Sequence, residues 1–425
     1  MPELNTQLQR LDTTFPIDAV RSAFPALHAQ DRGRSRIYLD GPGGTQVCAH
    51  SIAAMAAHFE RGTANSGGPF ATSRATDATT DAARAAMADL LGGAPDEIAF
   101  GPNMTSLTIA AARALAREWR AGDELVVTRL DHDANVAPWL AVAADQGMTV
   151  RWIDFDPDSG RLDLEALPEI LNLKTRLVAI GHASNAIGTI NDVAKVVEIV
   201  RRCSRAIVFV DAVQSVPHIP LDVAAIGCDL LACSPYKFFG PHQGVLWGRR
   251  ELLERLRPYK LRPSPDHPAA RRFETGTPSF EAQAGTAGAI GYLETLGGAL
   301  SLLANDRRGR LIESMQMCIE YEKAIGERLL AGLATLPGIK LWGPPTMAGR
   351  VPTFAVTIGG HDPHAVAAAL AERDIYAWAG HFYAVEVVER LGLTDRGGLL
   401  RLGLCHYNTA AEVDKTITVL SEIIG

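Results

Sequence analysis

The chain lacks most of the features that would single out a specialised protein class. Its six cysteines, Cys48, Cys203, Cys228, Cys233, Cys318 and Cys405, form no CxxC pair, so neither a disulfide framework nor a zinc site is suggested. They are expected to be reduced and mostly buried, acting as small hydrophobes. No apolar stretch reaches the roughly 18 residues of a membrane span, and no apolar run precedes a small-residue cleavage site near the N-terminus. A cytoplasmic location is the expectation. Charge is not concentrated either: a formal net charge of −7 is spread along the sequence without a basic run or an acidic tail. That argues against nucleic acid or a membrane surface as partner and leaves small molecules as the expected ligands.

What is present is a chain of 425 residues, 47% apolar, long enough for two domains at roughly 100–200 residues each. Helical and strand-like segments alternate from about residue 80 to residue 250. Helices are expected over 77–91 and 106–119, and strands over 97–100, 124–128, 149–153, 177–181, 207–210 and 230–233. This alternation predicts an α/β fold with a mostly parallel, doubly wound sheet, in which ligands bind beyond the C-terminal strand ends. After Gly276 long helices are expected over 281–303 and 310–336, then strands over 353–358 and 399–404 around a helix over 363–373. That pattern reads as a smaller α+β domain. The Pro-rich stretch from Arg262 to Pro268 reads as a surface loop.

The most informative residues lie at two expected strand ends. Val210-Asp211-Ala212-Val213-Gln214 ends one strand on an aspartate, and Cys233-Ser234-Pro235-Tyr236-Lys237 ends the next on a serine and a lysine. A buried aspartate needs a cationic partner to offset its desolvation. An acid and an amine side by side suit pyridoxal 5'-phosphate, whose aldehyde forms a Schiff base with a lysine and whose ring nitrogen is kept protonated by a carboxylate. A desolvated Lys237 would have a lowered pKa, making it a nucleophile and then a general base at Cα. Gly101-Pro102-Asn103-Met104-Thr105-Ser106 sits at a strand-to-helix turn, where backbone N–H groups and a hydroxyl can take a phosphate or simply cap the helix.

In sequence order these motifs resemble the class V aminotransferase group of fold-type I pyridoxal-phosphate enzymes, in its cysteine desulfurase-like branch. The likeness runs from Tyr38-Leu39-Asp40 to Tyr407-Asn408-Thr409. It implies a large cofactor-binding domain over residues 31–280 with a seven-stranded-type sheet, a small C-terminal domain over 281–425 joined by a long helix, and an N-terminal segment over 1–30 packed on the small domain. It also implies that Met104, Thr105, Ser234 and Tyr236 lie at the phosphate, Tyr236 standing where relatives carry a histidine. His132 matches a histidine that stacks on the ring, for which the plain alternative is a surface-loop histidine. Asn185 and Gln214 match residues near the ring oxygen or the substrate, although amides at strand ends also cap helices. Arg401 matches the arginine that grips the substrate carboxylate, a task suited to guanidinium, its alternative being a structural ion pair. Gln46, in the Gly-rich run from Gly41 to Gln46, falls on a substrate-facing segment whose alternative is a plain turn. Gly276 and Thr277 match a segment that reaches the phosphate of a neighbouring subunit, which implies a homodimer with active sites near the interface.

One departure narrows the chemistry. Relatives that form a protein-bound persulfide carry a cysteine on a mobile loop, and the matching stretch here, Trp378-Ala379-Gly380-His381-Phe382-Tyr383-Ala384, has none. Tyr383 stands at or next to that position. The expected activity is therefore C–S β-lyase chemistry on cysteine or a cysteine derivative. Epimerisation or transamination of an amino acid is the alternative, and a non-catalytic sensor or partner subunit that binds the cofactor is a third.

Overall fold

The computed structural model describes residues 15–31, 33–296 and 305–425. Residues 1–14 of the expected N-terminal segment, and the end of the expected 281–303 helix, lie outside the described residues. Seven strands form the main sheet: β1 (Ile98–Gly101), β2 (Glu124–Thr128), β3 (Thr149–Ile153), β4 (Thr175–Gly181), β5 (Ile207–Asp211), β6 (Leu230–Cys233) and β7 (Gly244–Gly248). Their spatial order is β1-β7-β6-β5-β4-β2-β3. The neighbours from β6 through β3 pair in parallel, whereas β7, which the alternation did not signal, is antiparallel to both β6 and β1. Leu177-Val178-Ala179-Ile180 and Val208-Phe209-Val210 are fully buried because apolar layers cover both faces of the sheet.

Four helices concern the site: α1 (Met104–Ala116), α2 (Ala137–Gln146), α3 (Phe280–Thr295) and α4 (Arg307–Leu333). The first begins two residues earlier than its apolar spacing suggests, because Asn103 caps it by accepting from Ser106 N at 2.8 Å. Gly244 in β7 is pressed against that cap, and a Cβ there would stand 2.3 Å from the Asn103 carbonyl carbon. Only glycine lets the strand approach the helix start so closely.

A second sheet contains β8 (Ile339–Trp342), β9 (Thr353–Ile358), β10 (Trp378–Gly380) and β11 (Leu399–Gly403), antiparallel in the order β8-β9-β11-β10. β8 and β10 are too short to stand out by alternation, and β10 occupies the start of the stretch expected as a loop. Its register sets Trp378 opposite Arg401.

Behind the site, Glu322 of α4 is buried between His218, which follows β5, at 2.9 Å and His406, which follows β11, at 3.8 Å. Tyr292 of α3 bonds the other His406 nitrogen at 2.8 Å. Burial favours protonation of the Glu322 carboxyl, but the two histidines outweigh it and hold the group below the usual range. The cluster ties the main sheet to the smaller one with a charge rather than with packing alone. Glu322→Gln is expected to lower unfolding stability by about 3 kcal/mol at neutral pH, measured by urea denaturation. A depressed carboxyl contributes above its unfolded pKa of about 4.3 and loses that contribution as pH falls. The gap between variant and wild type should therefore narrow in acid.

Candidate active site

The parallel register aligns Asp211 with Gly181 on one side and Ala232 on the other. The segments leaving β4, β5 and β6 therefore emerge together at the C-terminal edge, bringing Asn185, Asp211 and Lys237 into one neighbourhood. Lys237 lies in a 3-10 turn, Pro235–Lys237, capped at its C-terminus by Phe238 and followed by Phe239. Phe239 adopts a left-handed backbone with φ of 68°. This uncommon conformation is held by Cys48 N donating to the Phe239 carbonyl at 3.0 Å and by Phe239 N donating to the Thr45 hydroxyl at 2.9 Å.

Lys237 is buried, and its amine donates to the carbonyl of Pro42, which also accepts from the Gln214 amide at 2.8 Å. Burial, and then the positive charge of Arg401, pushes the Lys237 pKa down to about 7, against the opposing pull of Asp211 and Asp40. The amine is thus available as a nucleophile near neutral pH. Burial raises the Asp211 carboxyl to about 6, even though it accepts from Val213 N at 2.9 Å and faces Lys237. Asp131 supports this arrangement from behind, accepting from Gly181 N at 2.8 Å and the Asn135 amide at 2.7 Å. Its own carboxyl is pushed up to about 7 by burial, with the Asp211 charge adding to the effect.

The His132 ring is neutral, because burial and the nearby Lys237 and Arg401 charges lower its pKa to about 4. Nδ1 accepts from Ala134 N at 3.0 Å, so the proton sits on Nε2 and a flat, uncharged face remains. Arg401 is buried, donates to the Asn185 carbonyl at 2.8 Å, and lies 4.1 Å from the centroid of the Phe382 ring. Burial lowers its pKa to about 9, which leaves it cationic at neutral pH. Arg401 Nε and Asn185 Oδ1 are buried without a hydrogen-bond partner. Unsatisfied polar atoms of this kind are costly unless a ligand completes them.

A single cavity is lined by Thr105, His132, Asn185, Tyr236, Lys237, Tyr383 and Arg401. Met104, Asp211, Gln214 and Ser234 are buried around it without lining it, and the Gln46 side chain does not border it. Gly276 and Thr277 are exposed and stand away from it within one chain. Three neighbours went unassigned in the sequence. Asp40 is half-buried beside Arg401 and Lys237, with its Oδ1 buried and unpartnered and its carboxyl raised to about 6 by desolvation. Phe382 covers the Arg401 face, and Trp378 fills the space that a side chain on Gly43 would need. Only the Asp40 position, beside the Gly-rich run, offered any local signal.

The donor set fits pyridoxal phosphate. Lys237 would anchor its aldehyde carbon, Asp211 its ring nitrogen and the flat face of His132 its ring. The start of α1, with Thr105 on the cavity wall, would take the phosphate.

The Aminotransferase class-V family model matches residues 37–416. A probable cysteine desulfurase of Streptomyces coelicolor is 32% identical over 442 aligned residues, covering 98% of this chain and 99% of that protein. An aminotransferase-like protein of Gibberella zeae is 31% identical over 423 residues, covering 97% and 99%. The apo structure of a cysteine desulfurase from Thermococcus onnurineus NA1 superimposes with a TM-score of 0.84 at 27% identity, covering 96% of this chain and 98% of that one.

Two outcomes follow from the buried amine. The rate at which cofactor-free protein couples to added pyridoxal phosphate, followed by absorbance, should climb with pH and level off above about 7. An ordinary lysine would keep climbing towards roughly 10.4. Lys237→Ala should remain folded by circular dichroism yet lose the absorption of the covalently held cofactor.

Proposed function

Because this chain belongs to the class V aminotransferase family and is a pyridoxal-phosphate-dependent enzyme, we propose that it catalyses C–S β-elimination on a cysteine derivative, releasing pyruvate, ammonia and reduced sulfur. The carrying observation is the fixed, thiol-free turn at Phe382–Tyr383. Both residues adopt left-handed backbones, with φ of 55° and 58°. The Tyr383 carbonyl accepts from Asp133 N at 2.6 Å, and the Phe382 carbonyl accepts from the Asn185 amide at 2.9 Å. A segment bonded to the site on both sides is a poor travelling arm.

Cys405 offers no substitute. It is buried, its Sγ would lie 2.8 Å from a Cβ at Gly41, and burial pushes its thiol pKa well above the usual value. A thiol held neutral is a weak nucleophile.

When bound, the cofactor supplies an electrophilic carbon for the amino group and a ring that accepts the electron pair left at Cα. Arg401 would pair with the α-carboxylate, with Phe382 and the Asn185 carbonyl fixing its plane. The neutral Lys237 amine would take the Cα proton as general base. Asp211 would keep the ring nitrogen protonated, and the Pro42 carbonyl holds the lysine in place until it is needed. We also propose a homodimer, in which the exposed Gly276 and Thr277 reach the phosphate region of the second subunit.

The test assays pyruvate, ammonia, sulfide and alanine together from L-cysteine, L-cystine and other amino acids, with Cα–H exchange followed in parallel. Pyruvate and ammonia in equal amounts support elimination, and alanine with sulfur would restore a desulfurase. Exchange or a keto acid without sulfur release would point to epimerisation or transamination. Cys405→Ala should retain turnover within about twofold, and complete loss of sulfide release with cofactor still bound would overturn the thiol-free reading.

A further inference from the structure

We infer that the substrate carries a bulky apolar group on its leaving sulfur, seated in a gallery continuous with the Lys237 site. This rests on the elimination reading above and names the substrate class for it. The cavity has a volume of about 1340 Å³, against roughly 300–1,000 Å³ for the pockets that hold drug-sized ligands. The cofactor takes a share of that space, and the side chain of cysteine, one methylene and a sulfur, adds little to it.

The unpartnered anchoring groups, Arg401 Nε and Asn185 Oδ1, are buried at the Lys237 end. Away from them small apolar side chains make up much of the wall, with the charged Arg113, Asp145 and Glu389 interspersed among them. Ala112, Ala137, Ala141 and Val142 line it from α1 and α2, and Val385 and Val388 from the short helix α5 (Val385–Arg390). Among the described residues, four of the eleven exposed large hydrophobic side chains, Ile109, Trp378, Tyr383 and Val385, border this one cavity. Trp378 and Tyr383 keep 54% and 67% of their surface in solvent. Apolar surface gathered around a polar anchoring point suits an amino acid whose side chain ends in an alkyl or aryl group.

The reaction balances with water alone. The C–S bond breaks and its electron pair leaves on sulfur as RSH, while the Cα proton passes to the Lys237 amine. R–S–CH2–CH(NH3+)–COO− plus water gives RSH, pyruvate and ammonium, with no net oxidation.

The experiment uses holoenzyme with L-cysteine and its S-methyl, S-butyl and S-benzyl derivatives, measuring pyruvate and released thiol. In parallel, alanine, norvaline, norleucine and 2-aminooctanoate, which cannot eliminate, are titrated spectroscopically for affinity. Each added methylene should improve kcat/KM and affinity roughly fourfold, as expected for apolar burial. Ala141→Trp, at an exposed position and checked for folding by circular dichroism, should bring the S-benzyl to S-methyl ratio of kcat/KM down at least tenfold. Affinity that rises with length while no thioether yields pyruvate would sink the elimination reading and leave the side-chain assignment standing. Affinity flat with length, together with an S-benzyl derivative no better than S-methyl, would overturn the gallery.

Discussion

The site depends on a lysine kept out of water. Removing the Lys237 amine from solvent lowers its pKa to about 7, and the same burial raises Asp211 and Asp40 to about 6 and Asp131 to about 7. Groups that would all be charged in water are thereby brought close to a common pH, where protons move between them at little cost. Sheet register makes this possible. Three adjacent parallel strands end level, so a carboxylate, an amide and an amine reach one pocket without a long loop between them.

The Gly-rich run that starts at Gly41 completes that pocket from far away in sequence. The Gly41–Gly43 turn lays the Pro42 carbonyl over both Lys237 and Gln214. Gly41 and Gly43 are in turn packed against Cys405, just past the end of β11, and against Trp378 of β10. The lysine is thus held by a backbone carbonyl that any side chain on the flanking glycines would displace. The buried charge at Glu322 braces the same junction from behind.

Much of this was legible in the sequence because it is local. Apolar strands that end on Asp211 and on Ser234-Pro235-Tyr236-Lys237 state both the fold class and the amine–acid pair. The missing cysteine in the 378–384 stretch is visible by inspection, whereas apolar spacing places the start of α1 two residues late because it does not register the Asn103 cap. What could not be read is what long-range register decides. Asp40 gains its role only through the bridge to Gly403, and Phe382 only through its stacking on Arg401. β7 runs against its neighbours, a direction that composition does not encode, and β10 is too short for alternation to register. The gallery is likewise invisible in one dimension, since its alanines and valines look like ordinary helix positions until α1, α2 and α5 face one another.

The double left-handed turn at Phe382 and Tyr383 also bears on traffic. Among the described residues no thiol lines the cavity, and on the elimination reading proposed above nothing would be handed to a carrier. The released thiol would leave by diffusion through a mouth bordered by the exposed Tyr383 ring. On that reading throughput would be governed by passage across that mouth rather than by encounter with a second macromolecule, a matter of viscosity and aperture rather than of recognition.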